Sequence, residues 1–259
     1  HRGGDAVRAG LGAAVPRFSI NVSMMLQEYD FLDRFAAAAD LGFKGVDIQF
    51  PYDHPAERVA ERARAAGVEA VLLNVPAGDL QAGGDGLAGV PGRQAEFHVA
   101  VRQAQDYCRA LDCKRVNVLA GRLPAGVQRR DCLKVLSDNL ACAAETLAAD
   151  GVTVMAETIN GRDVPRFLLQ TTEDTIAALD AAGKSNLAVQ FDFYHRQIMQ
   201  GDLIPGLERH LSRIAHLQFA DTPGRGAPGS GEINFPNLFA AIDRLGYAGW
   251  VGAEYRPVG

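Results

Sequence analysis

Four short apolar runs in the second half of the chain each deliver an oxygen or imidazole side chain at or near their C-terminal end. VTVMAETIN carries Glu157, with Asn160 in the turn beyond it. LAVQFDFYH carries Asp192 and His195, IAHLQFAD carries Gln218 and Asp221, and WVGAEY carries Glu254. Successive runs lie about one strand–helix unit apart, so parallel neighbours in a closed barrel would bring all these groups to one mouth. Glu157, Asp192, Gln218 and Glu254 would then form an all-oxygen set with three formal negative charges. Such a set suits a hard divalent cation, Mg²⁺ or Mn²⁺, better than zinc, which recruits His or Cys. Without a cation or a shared proton the carboxylates would repel and raise one another's pKa.

A cation flanked by two carboxylates has a specific use. It grips a carbonyl and the neighbouring hydroxyl, acidifies the intervening C–H and stabilises an enediolate. One glutamate removes the proton, and that one or the other returns it to the adjacent carbon. The result is aldose–ketose isomerisation, or epimerisation if the proton returns to the same carbon. His195, three residues after Asp192, is expected in the loop beyond its strand, as a substrate hydrogen-bond donor, a proton carrier or a supporting histidine. Arg225, in a later Gly/Pro-rich loop, is either solvated or paired bidentately with a substrate carboxylate. Asn74 and Asn117 sit at the ends of two earlier strand-like runs, where they face the mouth or cap core and loops. The same Gly-rich loop that carries Arg225 offers backbone N–H groups to a phosphate, which leaves a phosphosugar open.

These groups need a scaffold of alternating strands and helices, and the chain reads that way throughout. Strands are expected at 17–23, 45–50, 69–75, 114–120, 152–160, 187–193, 214–220 and 250–255. Helices are expected at 30–41, 55–66, 93–111, 129–149, 172–182 and 236–245, with a short helix, Gly201 and a second helix inside 198–213. Asp30 and Thr172 are candidate N-caps, and Gly42, Gly67 and Gly183 candidate stops. Residues 76–92, PAGDLQAGGDGLAGVPG, form a long Gly-rich loop placed to hang over the mouth as a partial lid, or to lie on the surface without touching substrate. Eight strands in strict alternation favour a single (β/α)8 TIM barrel, an α/β fold, over an open doubly wound sheet, whose GxGxxG after the first strand is absent. The last helix is expected to be missing or truncated, because almost no chain remains beyond the eighth strand.

Composition limits the partners. The 259 residues carry a net charge of −5 with 47% hydrophobic content, so a large core is available and no basic surface invites a nucleic-acid backbone. No apolar run reaches the length of a membrane span. Cys108, Cys113, Cys132 and Cys142 form no CxxC pair and read as reduced thiols of a cytoplasmic protein. Residues 1–15 are Arg/Gly/Ala-rich, lack Met at the start and lack an apolar signal core. They read as an N-terminal extension separate from the catalytic domain at 16–259. Homo-oligomerisation is compatible with the exposed barrel side or the Trp250 region.

From about Pro16 to Pro257 the chain resembles the hydroxypyruvate isomerase family, in the xylose isomerase-like group of TIM barrels. The resemblance is carried by RFSINVSMM, FPYD at Phe50, NVPAGDLQAG with VPGR across the long loop, and ETIN at Glu157. QFDFYHRQ at Gln190, HLQFADTPGRGAPGSGEIN from His216 and GYAGWVGAEYRP from Gly246 complete it. It implies reversible conversion of hydroxypyruvate to 2-hydroxy-3-oxopropanoate, a small anionic hydroxy-keto acid, within glyoxylate and carbohydrate-acid metabolism. It also implies that Glu157 and Glu254 are the proton donor/acceptor pair. Metal ligation falls on Glu157, Asp192, Gln218 and Glu254, and His195 is a substrate contact within a D-x-x-H pattern. Related sugar epimerases carry a histidine where Gln218 stands, which leaves the metal and its necessity open. The rival readings are 2-oxo-tetronate isomerase and ketose 3-epimerase. From other classes come a metal-dependent abasic-site endonuclease, which would need a His-rich cluster and a basic face, and a non-catalytic sugar-acid binding protein.

Overall fold

The near-continuous apolar runs become the staves of a parallel barrel, as expected of strands buried on both faces. In a computed structural model, which describes residues 16–257, eight strands close in sequence order, with β8 returning to β1. They are β1 Arg17–Asn21, β2 Gly45–Ile48, β3 Glu69–Asn74, β4 Arg115–Val118, β5 Thr153–Glu157, β6 Leu187–Asp192, β7 Ile214–Phe219 and β8 Trp250–Ala253. All pairings are parallel. The expected (β/α)8 barrel is therefore the observed architecture. The N-terminal extension assigned to residues 1–15 lies outside the described residues.

Helices surround the barrel: α1 Arg34–Asp40, α2 Ala56–Ala66, α3 Gln94–Leu111, α4 Arg129–Ala148, α5 Thr172–Ala182, α6 Phe193–Met199, α7 Leu203–His210 and α8 Phe235–Arg244. The longer ones bury an apolar stripe. In α3, Phe97, Ala100, Val101, Ala104 and Cys108 recur at helical spacing and are all buried. Gly67 ends α2 at φ 68°, a left-handed turn that glycine adopts without a Cβ clash. Among the described residues no helix follows β8.

Three local expectations shift. Asp30 precedes a 3₁₀ turn at Phe31–Asp33 and makes no side-chain cap bond, so α1 begins only at Arg34. The cap of α5 is Thr171, one residue before Thr172. Its hydroxyl accepts from the Asp174 amide while Asp174 answers back, forming a capping box. Strand five stops at Glu157, leaving Thr158–Asn160 in the connection.

The parallel closure aligns the strand ends. Glu157 pairs in register with Gln190, and Asp192 with Gln218. Glu254 follows β8 directly. Asn21, Asp47, Asn74 and Asn117 occupy β1 to β4, and all four are buried. A barrel interior normally filled by branched apolar side chains is thus polar near its C-terminal mouth.

Candidate active site

Burying several carboxyl groups together is costly unless each finds donors or a counter-charge, and the mouth supplies both. Glu254 is the better satisfied. Its Oε1 accepts from Asn21 Nδ2 (2.6 Å), Gln49 Nε2 (3.2 Å) and Gln218 Nε2 (3.2 Å), and its Oε2 accepts from Arg225 Nη2 (2.7 Å). Glu157 accepts from Asn117 Nδ2 at 2.7 Å and from Gln190 Nε2 at 3.3 Å. Burial pushes the Glu157 carboxyl well above the usual range, and the charges of Glu254 and Asp192 add to the push. Burial also raises Glu254, to about 7, with Arg225 opposing the shift and Asp192 and Asp47 adding to it.

An amide ladder joins the two glutamates. Gln190 Nε2, bonded to Glu157, also donates to Gln218 Oε1 at 2.7 Å, and Gln218 Nε2 donates onward to Glu254 and to Asp47 Oδ2 (3.3 Å). Beneath this layer Asp47 binds Ser19 Oγ at 2.7 Å and His216 Nε2 at 2.7 Å. Burial opposes ionisation of Asp47, but His216, Ser19 and Gln218 together hold its pKa below the ordinary value. Gly252 makes room for this pair, since a Cβ there would lie 2.2 Å from Asp47 Oδ2.

On the other side of the mouth, the Asp192 side chain accepts from the Tyr194 amide (2.8 Å) and so starts α6 immediately after β6. His195 therefore lies on a helix, not in the loop expected for it. Its Nδ1 faces the Asn160 amide and side-chain Nδ2 at 3.2 and 2.8 Å, which leaves the proton on Nε2, 3.6 Å from Asp192 Oδ2. Burial lowers the His195 pKa to about 4, against the pull of Asp192, so the ring is neutral near pH 7. Arg225 stacks over Tyr194 at 4.9 Å and lies 3.8 Å from Asp192 Oδ2. Burial works against the Arg225 charge, but Glu254, Asp192 and Glu157 outweigh it and raise its pKa.

The loop that presents Arg225 is organised by Asp221. Its carboxylate accepts from the backbone N–H groups of Thr222, Gly229, Gly231 and Ile233 at 2.9–3.0 Å. Asp221 thus shapes the loop and is not a group of the site. The N–H groups that would have cradled a phosphate already hold this carboxylate.

Above the glutamates opens a cavity of about 380 Å³, lined among others by Asn74, Glu157, Gln190, His195, Arg225 and Glu254. Leu80 and Gln81, from a 3₁₀ turn in the Gly-rich loop, form part of its wall, so that loop borders the mouth. Asn74, His195 and Arg225, the expected substrate contacts, all border this space. Of the expected ligands, Glu157 and Asp192 come together with His195, whereas Glu254 stands on the far side of Arg225 from Asp192 and Gln218 turns its amide nitrogen toward Glu254 and its oxygen toward Gln190. Asn21, Asp47, Gln49 and Gln190 escaped the sequence reading. An amide or acid within an apolar strand was the available signal, visible in GVDIQF and LAVQFD.

The donor chemistry fits a divalent cation. Asp192 Oδ2 is buried with no hydrogen-bond partner, and oxygen atoms of Glu157 and Asp192 lie with a nitrogen of His195 within 4.8 Å of one another. A buried, unpartnered carboxylate oxygen beside a raised-pKa carboxyl is the arrangement a cation relieves. Gln218 Oε1 accepts one bond from Gln190, which leaves its second lone pair as the only one open to a cation.

Comparison with known proteins identifies the family. The family model described as xylose isomerase-like TIM barrel matches residues 35–258. The chain is 46% identical over 243 residues to a 2-oxo-tetronate isomerase of Cupriavidus necator, covering 94% of each protein. It is 44% identical over 241 residues to the hydroxypyruvate isomerase of Escherichia coli, covering 93% of each. A solved structure from Brucella melitensis, described as an AP endonuclease of family 2, superposes with a TM-score of 0.91 at 39% identity, covering 94% of each chain.

Proposed function

Because the chain belongs to the xylose isomerase-like TIM barrel family, we propose that it is an aldose–ketose isomerase interconverting hydroxypyruvate and 2-hydroxy-3-oxopropanoate. The observation that carries this reading is the placement of Glu157 and Glu254. They sit on strand ends separated by β6 and β7, join through one amide ladder, and border one cavity. The isomerisation moves one hydrogen from C3 to C2 of a three-carbon acid, so it needs a group to take the C3 proton and a group to protonate C2. Two carboxyl groups facing one small ligand provide both, and their roles exchange in the reverse direction.

Glu254, carboxylate oxygens held by four donors, is oriented to accept the C3 proton. Glu157, whose burial favours its protonated form, is oriented to return one at C2. His195 keeps its Nε2–H toward the site and donates to a substrate oxygen. Arg225 and Asn74 complete the substrate contacts, and the loop at 76–92 limits water at the mouth. Glu157, Asp192 and Glu254, with Gln218 beside them, would hold the cation. When bound, Mg²⁺ or Mn²⁺ supplies the positive charge that polarises an α-hydroxy carbonyl. The unpaired, mostly buried cysteines suit a reducing compartment, and we place the enzyme in the cytoplasm.

The Cupriavidus necator relative favours a second substrate, 2-oxo-tetronate, which bears the same α-hydroxy carbonyl arrangement on a longer acid. An abasic-site endonuclease reading lacks the basic surface a DNA backbone requires, at a net charge of −5. The test is proton NMR in D₂O with hydroxypyruvate and 2-oxo-tetronate, before and after chelation and reloading with Mg²⁺ or Mn²⁺. Conversion with solvent deuterium at C2, lost on chelation, is the expected result. No turnover of either acid refutes the isomerase. A higher kcat/KM on 2-oxo-tetronate transfers the assignment to the second substrate.

A further inference from the structure

An acid substrate poses an electrostatic problem at this mouth. Glu157, Asp192 and Glu254 gather with Arg225, whose Nη2 is spent on Glu254 and whose Nε is buried without a partner. Arg225 bonds Glu254 at 2.7 Å and stands 3.8 Å from Asp192. The α-hydroxy carbonyl belongs at the cation those acids would hold, and the Arg225 bond to Glu254 keeps that carboxylate in place. A second guanidinium in the same space would receive the substrate carboxylate without drawing Arg225 off Glu254.

The cavity has a second arginine in its wall, Arg122, contributed by the connection after β4. Among the described residues no acidic side chain forms an ion pair with it. Its guanidinium donates twice, both times from Nη1, to the carbonyl oxygens of Leu80 (3.0 Å) and Gly84 (2.5 Å) in the Gly-rich loop. No described acceptor takes its Nε or Nη2. The backbone at this point is well fixed. The Arg122 amide donates to Asp85 O at 2.9 Å, and Arg122 bridges Phe167. Gly121, at φ +92°, lets the Asp85 carbonyl approach to where a Cβ would lie 2.4 Å from its oxygen.

One nitrogen of the fork thus fastens the loop, while the remaining donors are unspent in the wall of a space that Glu157, His195 and Glu254 also line. A guanidinium with such an edge matches the two coplanar oxygens of a carboxylate. We propose that Arg122 is a specificity-determining residue that receives the carboxylate of the 2-oxo acid, placing the α-hydroxy carbonyl end toward Glu157 and Glu254. The contact also ties recognition to the loop, because the guanidinium that receives the acid is the one that holds Leu80 and Gly84. This proposal rests on the isomerase reading for its substrate class.

The experiment compares hydroxypyruvate with 1,3-dihydroxyacetone, in which a hydroxymethyl group replaces the carboxylate and the same hydrogen shift yields glyceraldehyde. Turnover of both is measured for wild type, Arg122→Met, Arg122→Lys and Arg225→Met. Arg122→Met is expected to lower the acid-over-neutral ratio of kcat/KM by roughly 30- to 100-fold, the loss of one charge-assisted contact. Arg122→Lys should restore part of the ratio. An equal loss on both substrates would reduce Arg122 to a fastening for the loop and overturn the proposal. So would a fall in the ratio in Arg225→Met instead of Arg122→Met.

A second measurement is independent of turnover. Pyruvate carries the carboxylate but lacks the hydroxyl needed for the reaction. Calorimetry should show its binding to wild type weakened by a similar factor in Arg122→Met. Equal binding to both proteins, or none to wild type, overturns the proposal. Failure of wild type to isomerise hydroxypyruvate while pyruvate binding still depends on Arg122 would instead sink the isomerase reading alone.

Discussion

Replacing Glu254 with glutamine keeps the shape of the side chain and removes its ability to take a proton. The amide oxygen can still accept from Asn21, Gln49 and Gln218, which all converge on Oε1. The amide nitrogen then faces Arg225 Nη2, so one charge-assisted bond of 2.7 Å is lost. That loss costs about 1.5–3 kcal/mol of stability. It is offset in part because Glu157 and Asp192 lose a repelling neighbour, which Glu157 registers as a charge contribution from Glu254. The net change in folding stability should therefore stay within about 2 kcal/mol. Removal of a general base costs about 10²- to 10⁴-fold in rate, or roughly 3–5 kcal/mol on the barrier. The catalytic effect should exceed the folding effect, and the two assays separate them. Steady-state kinetics on hydroxypyruvate would read the first and urea denaturation the second. Exchange of the C3 hydrogen with D₂O adds a site-specific readout: it should stop in Glu254→Gln. A correctly folded Glu254→Gln enzyme with kcat/KM within tenfold of wild type would refute the two-glutamate chemistry.

Two further perturbations address the supports of the site. In metal-free protein His195 titrates near 4 when folded and near the ordinary 6.5 when unfolded. Between those values the unfolded chain binds more protons, so stability present above about pH 6.5 falls as the pH drops toward 4. The contribution is about 2 kcal/mol between pH 7 and 5; comparing urea midpoints of wild type and His195→Gln at both pH values checks it, and equal pH slopes would contradict it. Asp47→Ala strands His216, Ser19 and Gln218 in the dry barrel and should cost about 3–5 kcal/mol. A thermal or urea measurement showing under about 1 kcal/mol would mean the Asp47–His216 contact does not support the mouth.

Much of this architecture is legible along the chain because the relevant physics is local. A strand buried on both faces must be a short apolar run, and a parallel barrel must return each run through a helix. Glu157, Asp192 and Glu254 break or end such runs, so their arrival at one mouth follows once closure is granted. The boundary errors have local causes as well. Asp192 turned its carboxylate onto the Tyr194 amide and started a helix where a loop was expected, carrying His195 with it. The capping box at Thr171 likewise decided the start of α5 one residue early.

What the order of residues determined by itself was the barrel, its strand order and the identity of the acidic groups at its mouth, since period, composition and connection length suffice for those. Only the folded chain decided which partners those acids have. Asn21 meets Glu254 across 233 positions, His216 meets Asp47 across 169, and Arg122 reaches Leu80 and Gly84 across 42 and 38. Hydrogen bonds act over about 3 Å and carry no trace in sequence spacing. Which amide satisfies which carboxylate, and which arginine keeps donors to spare, is therefore settled by closure of the ring and nothing earlier.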